Sequence, residues 1–426
     1  MARGPADSTS PFTLRKCLTM DFFDRLGTLI GQRWRARNCD ELSFPDVALR
    51  ALQDLPPHQH VTMWEIAQRA ITAPQLPQQE DPDSKFGEPP LTVYNGRGFH
   101  IDVLFWADGI PAIHQHAFSG AFHVLQGSSL HTLWEFDALE RIEMRLLLGR
   151  TKFKSVEVLT PGEVRPILPG KQMIHATFHL EHPSATIVVR TTSEVEHRPQ
   201  YSYLPPTIAF AQNDEIPLIK RQTELLRMLL LSGQRSVCYE TARHLCGTVD
   251  AYSLFHFIRS MITAIPDEDL RQVILLSARR HHPALIDALE PVLVRDEVGN
   301  RILQARRVAA SNRELSYFLA LLRNIPNRAA IFDLIRQRHP GRDPVALVRN
   351  WIRKLSDIGA LGVRIPGCWL VATEGLLQRR SHVEILSMMT ERCKQASIPS
   401  TEAQVRDLTS SLQEFWLLQP LLHSIT

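Results

Sequence analysis

The chain has 426 residues, of which 44% are hydrophobic and 22% charged, and its formal net charge is +3. That length exceeds one core and predicts two or three domains. The near-balanced charge gives no global field to favour nucleic acid or a membrane surface. The six cysteines (Cys17, Cys39, Cys238, Cys246, Cys368, Cys393) are scattered without a CxxC pair. That argues against a disulfide framework or a zinc finger and predicts reduced, mostly buried thiols. No apolar run approaches the ~20 residues of a membrane helix. The opening MARGPADSTSPF has no hydrophobic signal core, so a cytoplasmic protein is expected.

Taken in order, residues 1–11 are small and polar and predict disorder. From Thr13, Leu14, Leu18, Phe22, Leu26 and Ile30 recur at helical spacing and predict an amphipathic helix. A second helix is expected over 45–55, with Pro45 in its first turn. A third follows Thr62, which forms a capping-box pattern with Glu65. Residues 75–90 (QLPQQEDPDSKFGEPP) read as a linker or long loop. The pattern then changes to short runs of β-formers at 91–94, 99–106, 121–125, 130–136, 142–147, 152–158, 172–180 and 186–192. Strands at this near-even spacing predict a sandwich or barrel. Closing a barrel removes exposed edges and leaves an interior pocket.

Beyond residues 201–206 the signal is helical to the end. Helices are predicted at 218–231, 252–265, 270–278, 282–294, 315–323 and 329–338, with Pro266, Pro283, Pro326 and Pro340-Gly341 as punctuation. Their lengths suit a globular bundle or stacked helical hairpins. Residues 329–338, 344–358 and 361–370 resemble the last helices and wing of a winged-helix domain. Arg349, Arg353 and Lys354 could face phosphates there, but basic residues on one helix face are usually its solvated side. The favoured reading is structural, and nucleic acid is not an expected partner.

The chemistry concentrates in two stretches, ADGIPAIHQHAFSGAFHVLQG and LPGKQMIHATFH. His114 and His116 are two apart, so on an extended strand both imidazoles leave the same face. His175 follows the Pro169-Gly170 turn. Three histidines on stiff strands can take one side of a first-row metal and leave the other open.

These residues resemble the cupin family. His114-Gln115-His116, three residues, Gly120, six residues and Gly127 follow the spacing of the first cupin motif. Pro169-Gly170 with His175 looks like the second motif in loosened form. Gly120 stands where the first motif has its glutamate, and His179 where the second ends in asparagine. A motif without glutamate is similar to that of the thiol dioxygenases, which use three histidines and Fe(II); VLQGSSLHTLW is similar to them too. Their Ser-His-Tyr relay has no counterpart, since the corresponding strand reads Ala185 to Arg190 without histidine or tyrosine.

The resemblance covers roughly a quarter of the chain, about residues 91–200. Joined to the helical periodicity on either side, it gives an α+β chain with a helical segment over 1–80, a cupin-like β-barrel over 81–205 and an α-helical domain over 206–426, in which 329–372 could form a winged-helix-like element. It implies His114, His116 and His175 as metal ligands, with Fe(II) or another divalent first-row ion and no organic cofactor. Three neutral imidazoles would leave open positions, so substrate and dioxygen could meet without an external electron donor. His179, about 13 Å along an extended strand from His175, is expected to contact substrate or move a proton rather than bind the metal. Arg190, on an inward face with Thr186 and Val188, suits a substrate carboxylate or phosphate, or else forms a rim salt bridge. Asp108 is read as a turn residue, His123 as structural, and Phe122, Phe178 and Trp106 as barrel core. The expected function is a metal-dependent oxygenase acting on a small or peptidic polar substrate. The alternative is a ligand-sensing or regulatory protein whose C-terminal helices bind a protein partner or DNA. Cupins often pair through barrel edges, which leaves a homodimer open.

Overall fold

The computed structural model describes residues 11–80, 86–107, 112–192, 195–212, 216–265, 267–393, 399 and 401–422. The disorder expected over 1–11 falls outside the described residues except at Pro11, which begins a helix, and the Asp108 turn and Pro266 lie outside them too. Three helices open the chain: α1 (Pro11–Arg35), α2 (Phe44–Asp54) and α3 (Met63–Thr72). The Thr62 hydroxyl accepts from the Glu65 N–H, and the Glu65 carboxylate accepts from the Thr62 N–H, which completes the expected capping box.

The strands are β1 (Pro90–Gly96), β2 (Phe99–Trp106), β3 (Ile113–His114), β4 (Gly120–Gln126), β5 (Ser129–Glu143), β6 (Leu146–Leu159), β7 (Val164–Ile167), β8 (Ile174–His179), β9 (Ser184–Thr191), β10 (Tyr201–Leu204) and β11 (Ile208–Ala211). They form a five-stranded sheet, β1-β2-β9-β4-β7, and a closed barrel, β10-β11-β6-β5-β8-β3. The class is α+β. The three runs read at 130–136, 142–147 and 152–158 are two long strands, β5 and β6, that turn at Met144-Arg145. A short apolar run spanning a tight turn looks the same as a third strand. Strands β7, β10 and β11 go beyond the runs expected from the sequence: Pro166 breaks the pattern of β7, and β10 and β11 flank Pro205-Pro206, where the helical signal begins.

The chain divides into two compact units: Met1–Leu133 with Glu157–Gln200, and Trp134–Val156 with Tyr201–Thr426. In the first, the sheet has two apolar faces of opposite parity. Ile101 and Val103 of β2, Ala121 and Leu125 of β4, and Ile187 and Val189 of β9 pack with Phe22, Leu26 and Ile30 of α1 and Ala48 and Leu52 of α2. Leu104, Trp106, Phe122, Val124 and Val188 face the other way and form a separate core. The period of two therefore assigns each strand one helix-facing and one inward-facing row. Part of the expected linker is anchored: the Gln79 side chain both donates to and accepts from the backbone of Thr92.

In the second unit, α4 (Pro217–Leu231), α5 (Arg235–Thr248), α6 (Ala251–Ala264), α7 (Glu268–His281) and α8 (Pro283–Val308) share a core with Leu146 and Leu148 of β6 and Ile208 of β11. Next come α9 (Arg313–Asn324), α10 (Arg328–Arg338), α11 (Pro344–Asp357), α12 (Gly367–Leu377), α13 (His382–Arg392), α14 (Glu402–Glu414) and α15 (Gln419–Leu422). The segment read as a wing, 361–370, contains no strand: residues 361–366 are turn and loop, α12 begins after Pro366, and no strand follows β11 among the described residues. Short apolar runs such as GCWLV do not separate strand from helix by periodicity. Arg349 of α11 is committed to Glu374 of α12 at 2.6 Å.

Among the described residues five cysteines are free; Cys238 and Cys246 are buried, Cys39 is exposed, and Cys368 and Cys393 are half-buried. No described helix is long and apolar enough to cross a membrane.

Candidate metal centre

Backbone pairing brings the histidines together. In the β3–β8 pair, His114 and His175 are direct antiparallel partners. His116 forms an isolated bridge to Pro169, and its carbonyl accepts from the Gly170 N–H at 2.7 Å. Strand β3 is only two residues long, shorter than the extended ribbon expected through His116. Pro169 has no N–H with which to continue the ladder. The Pro169-Gly170 turn thus docks directly on the HxH segment.

The ligand nitrogens of His114, His116 and His175 lie within 4.8 Å of one another. His116 Nε2 and His175 Nε2 are 2.8 Å apart. Two nitrogens at right angles on one ion, each about 2.0–2.1 Å from it, would stand about 2.9 Å apart. His114 Nδ1 donates to the Ala112 carbonyl at 2.8 Å, which leaves Nε2 as a lone-pair acceptor. That Nε2 is buried without a partner, as is His116 Nδ1. An orphaned acceptor beside two facing imidazole nitrogens fits a divalent ion.

The rings are 1% (His114), 4% (His116) and 4% (His175) exposed. Burial lowers the basicity of His114 to about 4, although the Ala112 carbonyl opposes the shift. Burial likewise pushes His116 and His175 well below the usual imidazole value, helped by the charges of neighbouring histidines and, for His116, of Arg190. All three are therefore neutral at pH 7, the form a metal requires. Phe86 meets His114 edge-on at 4.9 Å, Phe118 lies 4.5 Å from His116 and Phe122 6.1 Å from His175.

Gly120 explains the missing carboxylate of the first motif. It pairs with Arg190 across β4–β9, and a Cβ there would collide with the Val189 carbonyl oxygen. Gly127 has a φ of +82° and would bring a Cβ to 2.7 Å from that of Ser184, so glycine answers both turn and packing.

Arg190 faces inward as its parity implied, but its Nε donates to Asp102 Oδ2 at 3.0 Å and its guanidinium lies 4.9 Å over the Phe118 ring. Burial would raise the Asp102 carboxyl, but a hydrogen bond from His100 and the Arg190 charge outweigh it and hold it below the usual value. His179 stacks on Trp106 at 4.7 Å, and its Nδ1 lies 3.0 Å from Ser129 Oγ. Burial takes it down to about 3, so it is neutral and weakly basic at pH 7. His123 points to the opposite face from Phe122, where its Nε2 meets His58 Nδ1 at 3.0 Å. Phe122, Phe178 and Trp106 are buried, as a core role requires.

Two residues escaped notice. His131 Nε2 lies 3.0 Å from His175 Nδ1, and His131 Nδ1 lies 2.9 Å from Glu157 Oε1. His131 has a sequence signal, since it lies in VLQGSSLHTLW, the stretch similar to the thiol dioxygenases. Glu157 had no local signal.

No protein-family model matches the chain, and no curated protein matches it. Among solved structures it is similar to recombinant oxalate oxidase in complex with glycolate, at 20% identity over 37% of this chain and 74% of that chain, with a TM-score of 0.20. A second oxalate oxidase structure, from a structural and spectroscopic study of its mechanism, gives 19% identity over 39% and 79%, also with a TM-score of 0.20. What describes the fold is the closed barrel, and beside it stands a three-histidine group that could hold a metal ion.

Two outcomes follow. Gly120→Glu, which restores the motif's carboxylate, is expected to break β4–β9 packing and destabilise by about 4 kcal/mol or more rather than tighten metal binding. Thermal melts and metal titration of the variant check this. The second concerns pH. His114 (about 4), His123 (about 3) and His179 (about 3) protonate in the folded state far below their ordinary value of 6.5. The unfolded chain therefore binds more protons below pH 6.5. Stability is complete above that pH and falls as pH drops towards 4, by about 1.4 kcal/mol per pH unit for each histidine. Melting of the metal-free protein between pH 7.5 and 5 should show the decline, and His123→Phe should make it shallower. A flat profile contradicts the assignment.

Proposed function

We propose that the chain is a mononuclear metal-dependent oxygenase, with Fe(II) as the favoured ion, acting on a small or peptidic polar substrate without an organic cofactor. The observation that carries this reading is the convergence of three buried, neutral imidazoles with no acidic side chain grouped with them among the described residues. Iron held this way would keep its double charge and open positions, and so could bring dioxygen and a polar substrate together.

In this reading His114, His116 and His175 supply the lone pairs. Phe86, Phe118 and Phe122 exclude water from the site and strengthen its electrostatics. Arg190, locked to Asp102, holds a positive charge beside His116 that favours an anionic end on the substrate. His179 works as a neutral hydrogen-bonding ring that orients substrate, because at about 3 its basicity is too low for proton abstraction at neutral pH.

A second reading is a ligand sensor whose helices engage a protein partner. It draws on the core shared by β6, β11 and α4–α8, through which a shift of those strands would reach the helices.

Elemental analysis of protein purified from cells tests the first reading. Near-stoichiometric iron is expected in the natural protein and at least a tenfold loss in His114→Ala, with dioxygen consumed when small thiols, amines or carboxylates are supplied. Equal, negligible metal in both proteins rules out the metal centre. Bound metal with no dioxygen uptake favours the sensor.

A further inference from the structure

We propose that His131 and Glu157 form a positioning relay that fixes the tautomer of His175 and strengthens it as a ligand, a role that rests on the metal-centre reading above. The relay follows the strand order. Glu157 is on β6, His131 on β5, His175 on β8 and His114 on β3, and these strands are neighbours in that sequence around the barrel.

Its direction is set at the outer end. Arg165 grips Glu157 with two bonds, Nε to Oε1 at 2.9 Å and Nη2 to Oε2 at 2.6 Å. The carboxylate is thereby ionised and can only accept. It accepts from His131 Nδ1 at 2.9 Å, which puts the proton of that ring on Nδ1 and leaves Nε2 as an acceptor. His131 Nε2 in turn faces His175 Nδ1 at 3.0 Å, so His175 donates there. The lone pair of His175 is then on Nε2, the atom that faces His116 Nε2 at 2.8 Å. The opposite tautomer would put an N–H where a metal must bind.

The burial gradient agrees with this. The Glu157 side chain is 40% exposed and that of His131 3%. A charged carboxylate is thus kept near solvent, where its desolvation is cheap, while its influence reaches the interior through one ring. Both nitrogens of His131 are spent on this line, whereas a histidine serving only to fill the core has no need of a ligand on one side and a clamped carboxylate on the other. His114 has its tautomer fixed by a neutral carbonyl, Ala112, so the three ligands are not equivalent: His175 alone is backed by a negative charge. Outer partners of this kind orient ligand rings and raise their basicity.

Cobalt(II) titration of metal-free protein, followed by visible absorption, tests the relay. His131→Leu and Glu157→Gln are expected to weaken cobalt binding about 10- to 100-fold and to shift its bands, while the metal-free melting temperature of Glu157→Gln stays close to that of the natural protein. His131→Gln, whose carboxamide oxygen can accept from His175 Nδ1, should recover part of the affinity. Should His131→Leu not fold, Glu157→Gln, at a half-exposed position, decides the matter. Unchanged affinity and spectrum in Glu157→Gln, with the natural protein binding cobalt, overturns the relay and leaves the metal centre standing. Failure of the natural protein to bind cobalt or any other divalent first-row ion overturns both.

Discussion

The cross-strand pairing of His114 with His175 is the constraint on which the rest of the site depends. Directly opposed residues on antiparallel strands have their Cβ atoms about 4.5–5.5 Å apart, close enough for two imidazoles to share one target. A slip of one residue would turn His175 to the other face and place Ile174 or Ala176 against His114. The Gly170 N–H bond to the His116 carbonyl pins the register from the other side, so the third ring is fixed by the same pairing. Burial of three imidazoles in such a place is costly unless their nitrogens have partners. Ala112 and His131 are two such partners, and a metal ion is what the remaining nitrogens could take.

The surrounding architecture protects that geometry. The helices α1 and α2 cover one face of the five-stranded sheet, and the inward face carries Trp106, Phe122 and Val188. Strands β2, β4 and β9 thus have no solvent-facing row that would loosen them. The buried Asp102 is a second polar cluster on the inward side, tied to Arg190, His100 and Thr92. Removing one partner from such a cluster would leave an uncompensated charge indoors, which costs about 3–5 kcal/mol, so the group behaves as a rigid floor beside His116.

Much of this was legible from residues alone, and the exceptions have physical causes. The HxH spacing, Gly127 and the Pro169-Gly170 turn pointed to three converging histidines because local spacing on strands maps directly onto faces. Parity placed Arg190 inward and His123 outward for the same reason. Asp102 as the partner of Arg190, and Glu157 as that of His131, were not legible: they lie 88 and 26 residues away respectively, and only strand pairing brings them together. The helical reading of the C-terminal region held in kind, but its details suffered where apolar runs carry no period, as at α12, and where turn and strand residues blend, as at Met144-Arg145. The departure at Gly120 reads differently once the fold is known. It is not a lost ligand in an otherwise open position; backbone occupies the space.

X-ray absorption at the metal edge of iron-loaded protein tests the central claim most directly. Three nitrogen scatterers near 2.0–2.2 Å with imidazole multiple scattering, falling to two in His114→Ala, is the predicted result. A spectrum with no imidazole signature, or one unaltered by His114→Ala, would contradict it.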